Sequence, residues 1–435
     1  MATFSNSLSR NLNIIFSMLA FMLLNLNLSA QSGSIQWENN YGGSSDDKAK
    51  SVHQTDDGGY IVAGVSESDD GDVSGNNGNT DLWLVKLNAN GIIQWENNYG
   101  GNGNDKITCL QKTDDGGYIA AGWNGWVIKI DASNTIQWEG SYGDDSGVNF
   151  RSIQQTNDGG YIAAGWKAYD FGVVKLDGSG NLMWKDTYGG SEQDWAFSVQ
   201  QTQDGGYIVA GETESSDGDL AGLNPEYLDY WLLKLDVNGN TLWSEIYGGL
   251  VWERPFSVQQ TEDGGYILAG SSNTPAGYGD VSGNNGEEDF WLVKVDEFGN
   301  IQWEKNYGGS ERDIAYDVKQ TSDGGYIIAG ESDNEYLVIK TDSFGNMEWE
   351  GNYGGSIDYE AFSVKQTNDG GYILATTDLQ GSNGNSDFWV AKLNGNLSTE
   401  NPSSVGKIQS NLYPNPTRNN ITVEANGAKA PLKVI

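Results

Sequence analysis

The sequence predicts an all-β fold made of seven copies of one four-stranded unit, and three observations carry that prediction. The tetrad Asp-Gly-Gly-Tyr ends at Tyr60, Tyr118, Tyr161, Tyr207, Tyr266, Tyr326 and Tyr372, and a Trp stands 23 residues before each of these tyrosines (Trp37, Trp95, Trp138, Trp184, Trp243, Trp303 and Trp349). A Lys in a Trp-Leu-Val-Lys-Leu-like run falls at Lys86, Lys129, Lys175, Lys234, Lys294, Lys340 and Lys392, and from each of the first six the next Trp is 9 residues on. No stretch sustains a helical period.

Each unit reads as four strands in order. The first is the Ser-Val-x-Gln-Thr run (Ser51 to Thr55 and its copies), the second Gly-Tyr-Ile-Val-Ala-Gly, the third the Lys-bearing run, and the fourth Ile-Gln-Trp-Glu-x-x-Tyr. Asp-Gly-Gly separates the first two and Asp/Asn-x-x-Gly the last two, both of them turn chemistry that tolerates positive backbone angles. The third strand is apolar on both faces apart from its Lys, as expected of a sheet covered on each side by a neighbour. All length variation lies between Tyr and Lys, where the spacings are 26, 11, 14, 27, 28, 14 and 20.

Seven four-stranded meanders, none able to bury both faces alone, predict a seven-bladed β-propeller. The ends of the repeat array sharpen this. It opens with a lone fourth strand, Ile35–Tyr41, and its last unit stops after the third strand at Leu393. The N-terminal strand is therefore expected to complete the last blade beside residues 388–393, whereas an open solenoid would leave two unpaired edges.

Composition bounds the function. The chain of 435 residues carries 60 acidic against 24 basic side chains, a formal charge of −36. Such a charge disfavours nucleic acid and anionic lipid surfaces as partners. A single Cys and a single His exclude an internal disulfide and a multi-histidine zinc site. Residues 1–30 hold one cation, Arg10, then an apolar run and Leu28-Ser29-Ala30, which reads as a signal peptide cleaved near Ala30. No later segment is long and apolar enough for a transmembrane span, so the expected destination is outside the cell or its outer surface.

The Trp-x-x-x-Tyr-Gly-Gly, Gln-Thr-x-Asp-Gly-Gly-Tyr and Trp-x-Val-Lys-Leu signatures over residues 35–393 resemble a propeller repeat of secreted proteins from Bacteroidetes-type bacteria. Leu412-Tyr413-Pro414-Asn415-Pro416 followed by Ile421-Thr422-Val423 resembles the opening of the type-A sorting domain of the type IX secretion system. That resemblance implies export by the type IX machinery. The domain expectation is thus a signal peptide at 1–30, the propeller at 31–393, a linker at 394–410 and a truncated sorting domain at 411–435.

In an up-and-down meander the variable loops all fall on one face, shortest in the second, third and sixth units, which leaves a low saddle over the adjacent second and third. Variable loops on a rigid scaffold are where ligands are held. Twelve of the 16 Trp occupy repeat positions; the remaining four, Trp123, Trp166, Trp195 and Trp252, project from the loop face of neighbouring units. With Tyr169 they make a candidate platform for sugar rings, whose C–H faces stack on aromatics. Asp70, Asp72, Ser74 and Asp81 match a calcium-loop spacing, D-x-D-x-S-G-x5-D, so Ca2+ is a candidate cofactor there.

Catalytic motifs are sparse. His53 and Cys109 stand where other units carry Gln or Lys and Ser or Asp, as variants of a repeat position. The arginines of the repeat array, Arg151, Arg254 and Arg312, lie in different units and suggest no shared site. The expected function is a secreted or surface binding module for a glycan, another extracellular polymer or a protein ligand. The alternatives are an endoglucanase-like glycoside hydrolase using loop carboxylates and a structural or adhesive scaffold.

Overall fold

The computed structural model describes residues 33–143, 147–223, 225, 227–333, 335–354, 363–379, 385–395, 413–414, 420–425 and 428–433. The expected signal peptide, nearly all of the linker and part of the sorting-domain segment lie outside these residues. In chain order the strands are β1 (Ile35–Tyr41), then β2 (Asp47–Gln54), β3 (Tyr60–Ser66), β4 (Asp81–Leu87) and β5 (Ile93–Tyr99) of blade one. Blade two holds β6 (Ile107–Lys112), β7 (Tyr118–Gly122), β8 (Trp126–Ile130) and β9 (Ile136–Ser141), and blade three β10 (Asn149–Gln155), β11 (Tyr161–Lys167), β12 (Asp170–Leu176) and β13 (Leu182–Tyr188). Blade four holds β14 (Asp194–Gln201), β15 (Tyr207–Thr213), β16 (Asp229–Leu235) and β17 (Thr241–Tyr247), and blade five β18 (Glu253–Gln260), β19 (Tyr266–Ser272), β20 (Asp289–Val295) and β21 (Ile301–Tyr307). Blade six holds β22 (Asp313–Gln320), β23 (Tyr326–Ser332), β24 (Glu335–Thr341) and β25 (Met347–Tyr353). Blade seven is β26 (Ser363–Gln366), β27 (Tyr372–Asp378) and β28 (Asp387–Leu393), completed by β1.

Closure occurs as the sequence predicts: β1 pairs antiparallel with β28 from Ile35 opposite Leu393 to Tyr41 opposite Phe388. The ring is one compact unit, Ser32–Gly395. A separate unit contains the antiparallel sheet β29 (Tyr413–Pro414), β30 (Asn420–Ala425) and β31 (Ala428–Lys433), so the segment resembling a sorting domain is also β-structured.

The hydrophobic material is divided among the blade junctions rather than pooled. On β3, Ile61 and Ala63 pack with blade two while Val62 packs with blade seven, and every residue of β3 and β4 is buried. The alternation of a strand thus feeds two cores at once, which is why these runs are apolar on both faces. The repeat Trp of each fourth strand is one of the stitches. Trp303 meets Tyr326 of the following blade at 5.8 Å between ring centroids, and Trp37 meets Tyr60 at 5.7 Å across the closure. The last Tyr of the fourth strand reaches further, its hydroxyl donating to a turn carbonyl of the next blade, as Tyr247 does to Gly299 at 2.6 Å.

The repeated Lys and Asp are blade architecture. Lys294 is almost fully buried, and its Nζ donates to Asp263 Oδ2 at 3.0 Å, to the Val295 carbonyl and to Gln302 Oε1. Thr261 Oγ1 and the Gly265 N–H also donate to Asp263 Oδ1, locking the Asp-Gly-Gly turn. Gly264 adopts φ +87°, and a Cβ on Gly265 would stand 2.2 Å from the Val295 carbonyl oxygen, so neither position accepts a side chain without strain.

The Tyr-Gly-Gly motif has a different cause. A Cβ on its first Gly would collide with carboxylate oxygens from both adjoining blades: those of Asp387 and Asp47 at Gly42, Asp81 and Asp105 at Gly100, and Asp170 and Asp194 at Gly189. Asp229 and Glu253 do the same at Gly248, and Asp289 and Asp313 at Gly308.

Candidate binding site at the channel mouth

The first strands of the blades stand around the axis and enclose a cavity of about 590 Å3. Six of them carry a bulge, between Ala49 and Ser51, Ile107 and Cys109, Phe150 and Ser152, Ala196 and Ser198, Pro255 and Ser257, and Ala315 and Asp317. A bulge re-aims the extra residue, and here that residue, Lys50, Thr108, Arg151, Phe197, Phe256 or Tyr316, lines the channel in each case. This tier divides in two. Phe197, Phe256 and Tyr316 form a contiguous aromatic arc with centroids 5.2 and 4.8 Å apart, and Lys50, Thr108 and Arg151 present polar groups opposite.

Below it a serine tier links the blades. Ser198 Oγ accepts the Val258 N–H at 3.2 Å and Ser363 Oγ accepts the Val52 N–H at 3.3 Å, across neighbouring inner strands. In blade six the same position is Asp317, which accepts from Val364 N–H, Lys365 and Lys319. Burial, the largest influence on Asp317, works to raise it, but the two lysines outweigh that and hold it at about 2. Burial in turn lowers Lys365 to about 8.

All three arginines of the repeat array line this one channel, which corrects the expectation that residues in different units share no site. They stand at different offsets from the first strand, Arg312 just ahead of it, and only the ring brings them to one axis. Arg254 pairs with the fully buried Glu212, and Arg312 donates to Glu288 at 2.9 Å and to Glu331 at 2.6 Å. Burial raises Glu331 to about 7 despite Arg312 beside it. His53 and Cys109 are on the same wall. Burial pushes the His53 imidazole down to about 3, leaving it neutral with Nε2–H donating to the Leu110 carbonyl at 3.0 Å. The Cys109 thiol is raised to about 12 by burial and points at the Ala121 carbonyl. Neither has the ionisation a nucleophile or general base needs near neutrality.

Of the aromatic platform, the structure brings together Trp166 and Trp195, stacked at 5.3 Å and 27° on adjacent blades, with the Arg151 guanidinium 4.7 Å over Trp166. Arg151 faces the channel as well, so the stack joins the loop face to the cavity. Trp123 lies in a short 3-10 turn, Trp123–Gly125, with Lys106 at 5.4 Å over its ring. The N–H of its neighbour Asn124 donates to Oδ1 of Asn149, the residue opposite Trp166 on β10. Tyr169 tips the two-residue β11–β12 hairpin and Trp252 the β17–β18 connection, both more than half exposed.

The calcium-loop residues are sent to two junctions. Asp70 and Asp72 accept N–H groups of Ser44 and Gly42 beside blade seven, Asp81 faces Gly100 beside blade two, and Ser74 is exposed. Among the described residues no three His, Cys, Asp or Glu side chains are grouped as metal ligands, and no helix is long and apolar enough to cross a membrane.

No family model and no curated protein matches the chain. Solved structures do. The chain is similar to the WD40 β-propeller domain of Doa1, with a TM-score of 0.52, 13% identity and coverage of 84% of this chain and 97% of that one. It is also similar to the Neurospora crassa Pan2 WD40 domain, with a TM-score of 0.51, 12% identity and coverage of 79% and 89%. The chain is a seven-bladed β-propeller. At these identities the likeness is one of fold alone.

Proposed function

We propose that this propeller is an extracellular binding module that holds a glycan or another extracellular polymer at the loop-face mouth of its channel. The observation that carries this reading is the Arg151–Trp166–Trp195 stack, an aromatic and cationic cluster whose Arg151 also lines a cavity walled by hydroxyl, amide and aromatic groups. Indole faces stack on sugar C–H surfaces while polar neighbours take the hydroxyls. A rigid ring with variable loops on one face suits recognition. The export part of the reading rests on the signal-like segment at 1–30 and the Leu412–Pro416 motif, which would make the type IX machinery a partner.

The test is a glycan array on the full chain beside the double variant Trp166→Ala/Trp195→Ala. Loss of the stack should weaken the best signals by at least about tenfold, the equivalent of ~1.4 kcal/mol. An array profile unchanged in the variant would refute the site. Release of reducing ends from a bound polysaccharide would instead support the glycoside hydrolase alternative.

A further inference from the structure

The junction between blades five and six holds two fully buried carboxylates, while the Arg312 guanidinium there is taken by Glu288 and Glu331. Asp289 begins β20 and Asp313 begins β22, both with no exposed surface, and among the described residues neither is paired with a Lys or Arg. Asp289 Oδ1 and Asp313 Oδ2 lie 2.7 and 2.4 Å from the place a Cβ on Gly308 would take, so both converge on one glycine face. Asp289 Oδ2 accepts the Asn285 N–H and Asp313 Oδ2 the Gly309 N–H at 2.7 Å. Asp289 Oδ1 and Asp313 Oδ1 are buried and receive no hydrogen bond. The junction between blades one and two pairs a fully buried carboxylate, Asp81, with the half-buried Asp105. Asp81 Oδ1 is buried without a donor, and with Asp105 Oδ2 it stands 2.2 and 2.9 Å from the Cβ position of Gly100.

An unpaired buried carboxylate is strongly unfavourable, and two facing each other more so. Something must neutralise them in the folded chain. We infer that Ca2+ binds at the blade junctions, bridging Asp289 to Asp313 and Asp81 to Asp105 beside the first Gly of the Tyr-Gly-Gly turn. The donors are all oxygen, and Ca2+ accepts mixed carboxylate, carbonyl and water ligands at ~2.3–2.6 Å in irregular geometry, where Mg2+ demands a regular octahedron. The same pairing of acids around the first Gly at Gly42, Gly189 and Gly248 makes the device a property of the repeat.

The experiment uses the full chain, dialysed at neutral pH with and without EGTA, with bound calcium measured by mass spectrometry and unfolding followed by heat. Two to five Ca2+ per chain are expected, with a melting temperature in EGTA lower by more than about 10 °C and restored by calcium. Asp289→Asn/Asp313→Asn should bind one Ca2+ fewer and melt higher than the parent in EGTA, because the variant has lost the repulsion. A chain free of calcium whose melting is indifferent to EGTA overturns the inference. If its stability also climbs steadily on acidification from about pH 8 to pH 5, the pairs share a proton instead. A variant that keeps every bound calcium overturns it equally.

Discussion

A chain lacking residues 31–41 is expected not to form a closed ring. That segment contains β1, whose ladder with β28 runs from Ile35 opposite Leu393 to Tyr41 opposite Phe388, and every residue of β28 is buried. Its removal would expose an apolar edge with unpaired backbone groups, a template for pairing with other chains. It would also take away the Trp37 contact with Tyr60, the Tyr41 hydroxyl donated to Gly91, and the Glu38 carboxylate that accepts the Trp389 indole N–H at 3.2 Å. Circular-dichroism melting should lose its cooperative transition, and size-exclusion chromatography should show oligomers. Trp37→Ala alone should cost about 2–4 kcal/mol, below the full core value because Trp37 is only partly buried. A truncated chain that melts cooperatively within a few degrees of the parent would show that closure is dispensable.

Asp263→Asn should destabilise the chain more than Lys294→Met, although each removes one member of the same ion pair. Lys294 is nearly fully buried, whereas the Asp263 side chain is 53% exposed. Removing the carboxylate strands a buried ammonium. Removing the ammonium leaves an aspartate that water can solvate, with an apolar chain filling the hole. Losing one partner of a buried pair costs about 3–5 kcal/mol, and the exposure of Asp263 screens this to roughly 1–3 kcal/mol for Asp263→Asn. Lys294→Met should stay below ~1 kcal/mol. Chemical denaturation of both variants at pH 7 measures the difference, and equal losses would contradict the asymmetry.

The same staples give the chain an acid limit. Hydrogen bonding by Thr55 and then Lys86 holds Asp57 at about 2, and Lys129 and Thr113 bring Asp115 to about 2 against the opposing effect of burial. A depressed carboxyl contributes stability that is complete above its unfolded value, near ~3.9, and is lost as pH falls through the folded value. With the pattern repeated in every blade, unfolding should steepen between about pH 4 and pH 2. The junction carboxylates act in the opposite sense. Burial raises Asp81 and Asp289, so without a bound cation their contribution is present at low pH and lost as pH rises.

Much of the fold was legible because a propeller repeat states itself many times. The constant 23-residue spacing between Trp and Tyr reflects one geometry, a fourth strand delivering its Trp to the next blade's Tyr, as in Trp243 with Tyr266. Closure was legible because the array opens with the strand its last unit lacks. The candidate site was only half legible. Trp166 and Trp195 were recognisable as departures from the repeat, and the structure stacks them. The column Lys50, Thr108, Arg151, Phe197, Phe256 and Tyr316 was equally visible as a variable position beside one that is serine in most units, but reading it required knowing that a bulge turns it toward the axis.

By itself the sequence determined the number of blades, their strand order and the closing strand, since each follows from local pattern repeated at fixed spacing. The tertiary structure decided what lies at the centre and between the blades. Arg151, Arg254 and Arg312, about a hundred and sixty residues from first to last, line one channel because ring closure brings the first strands of separate units around a single axis. Asp81 and Asp289, which in sequence close acidic loops, face partner carboxylates across blade junctions because each sheet packs against the next. Repetition along a chain fixes which positions vary, and only the packing of one repeat on another fixes which of them touch.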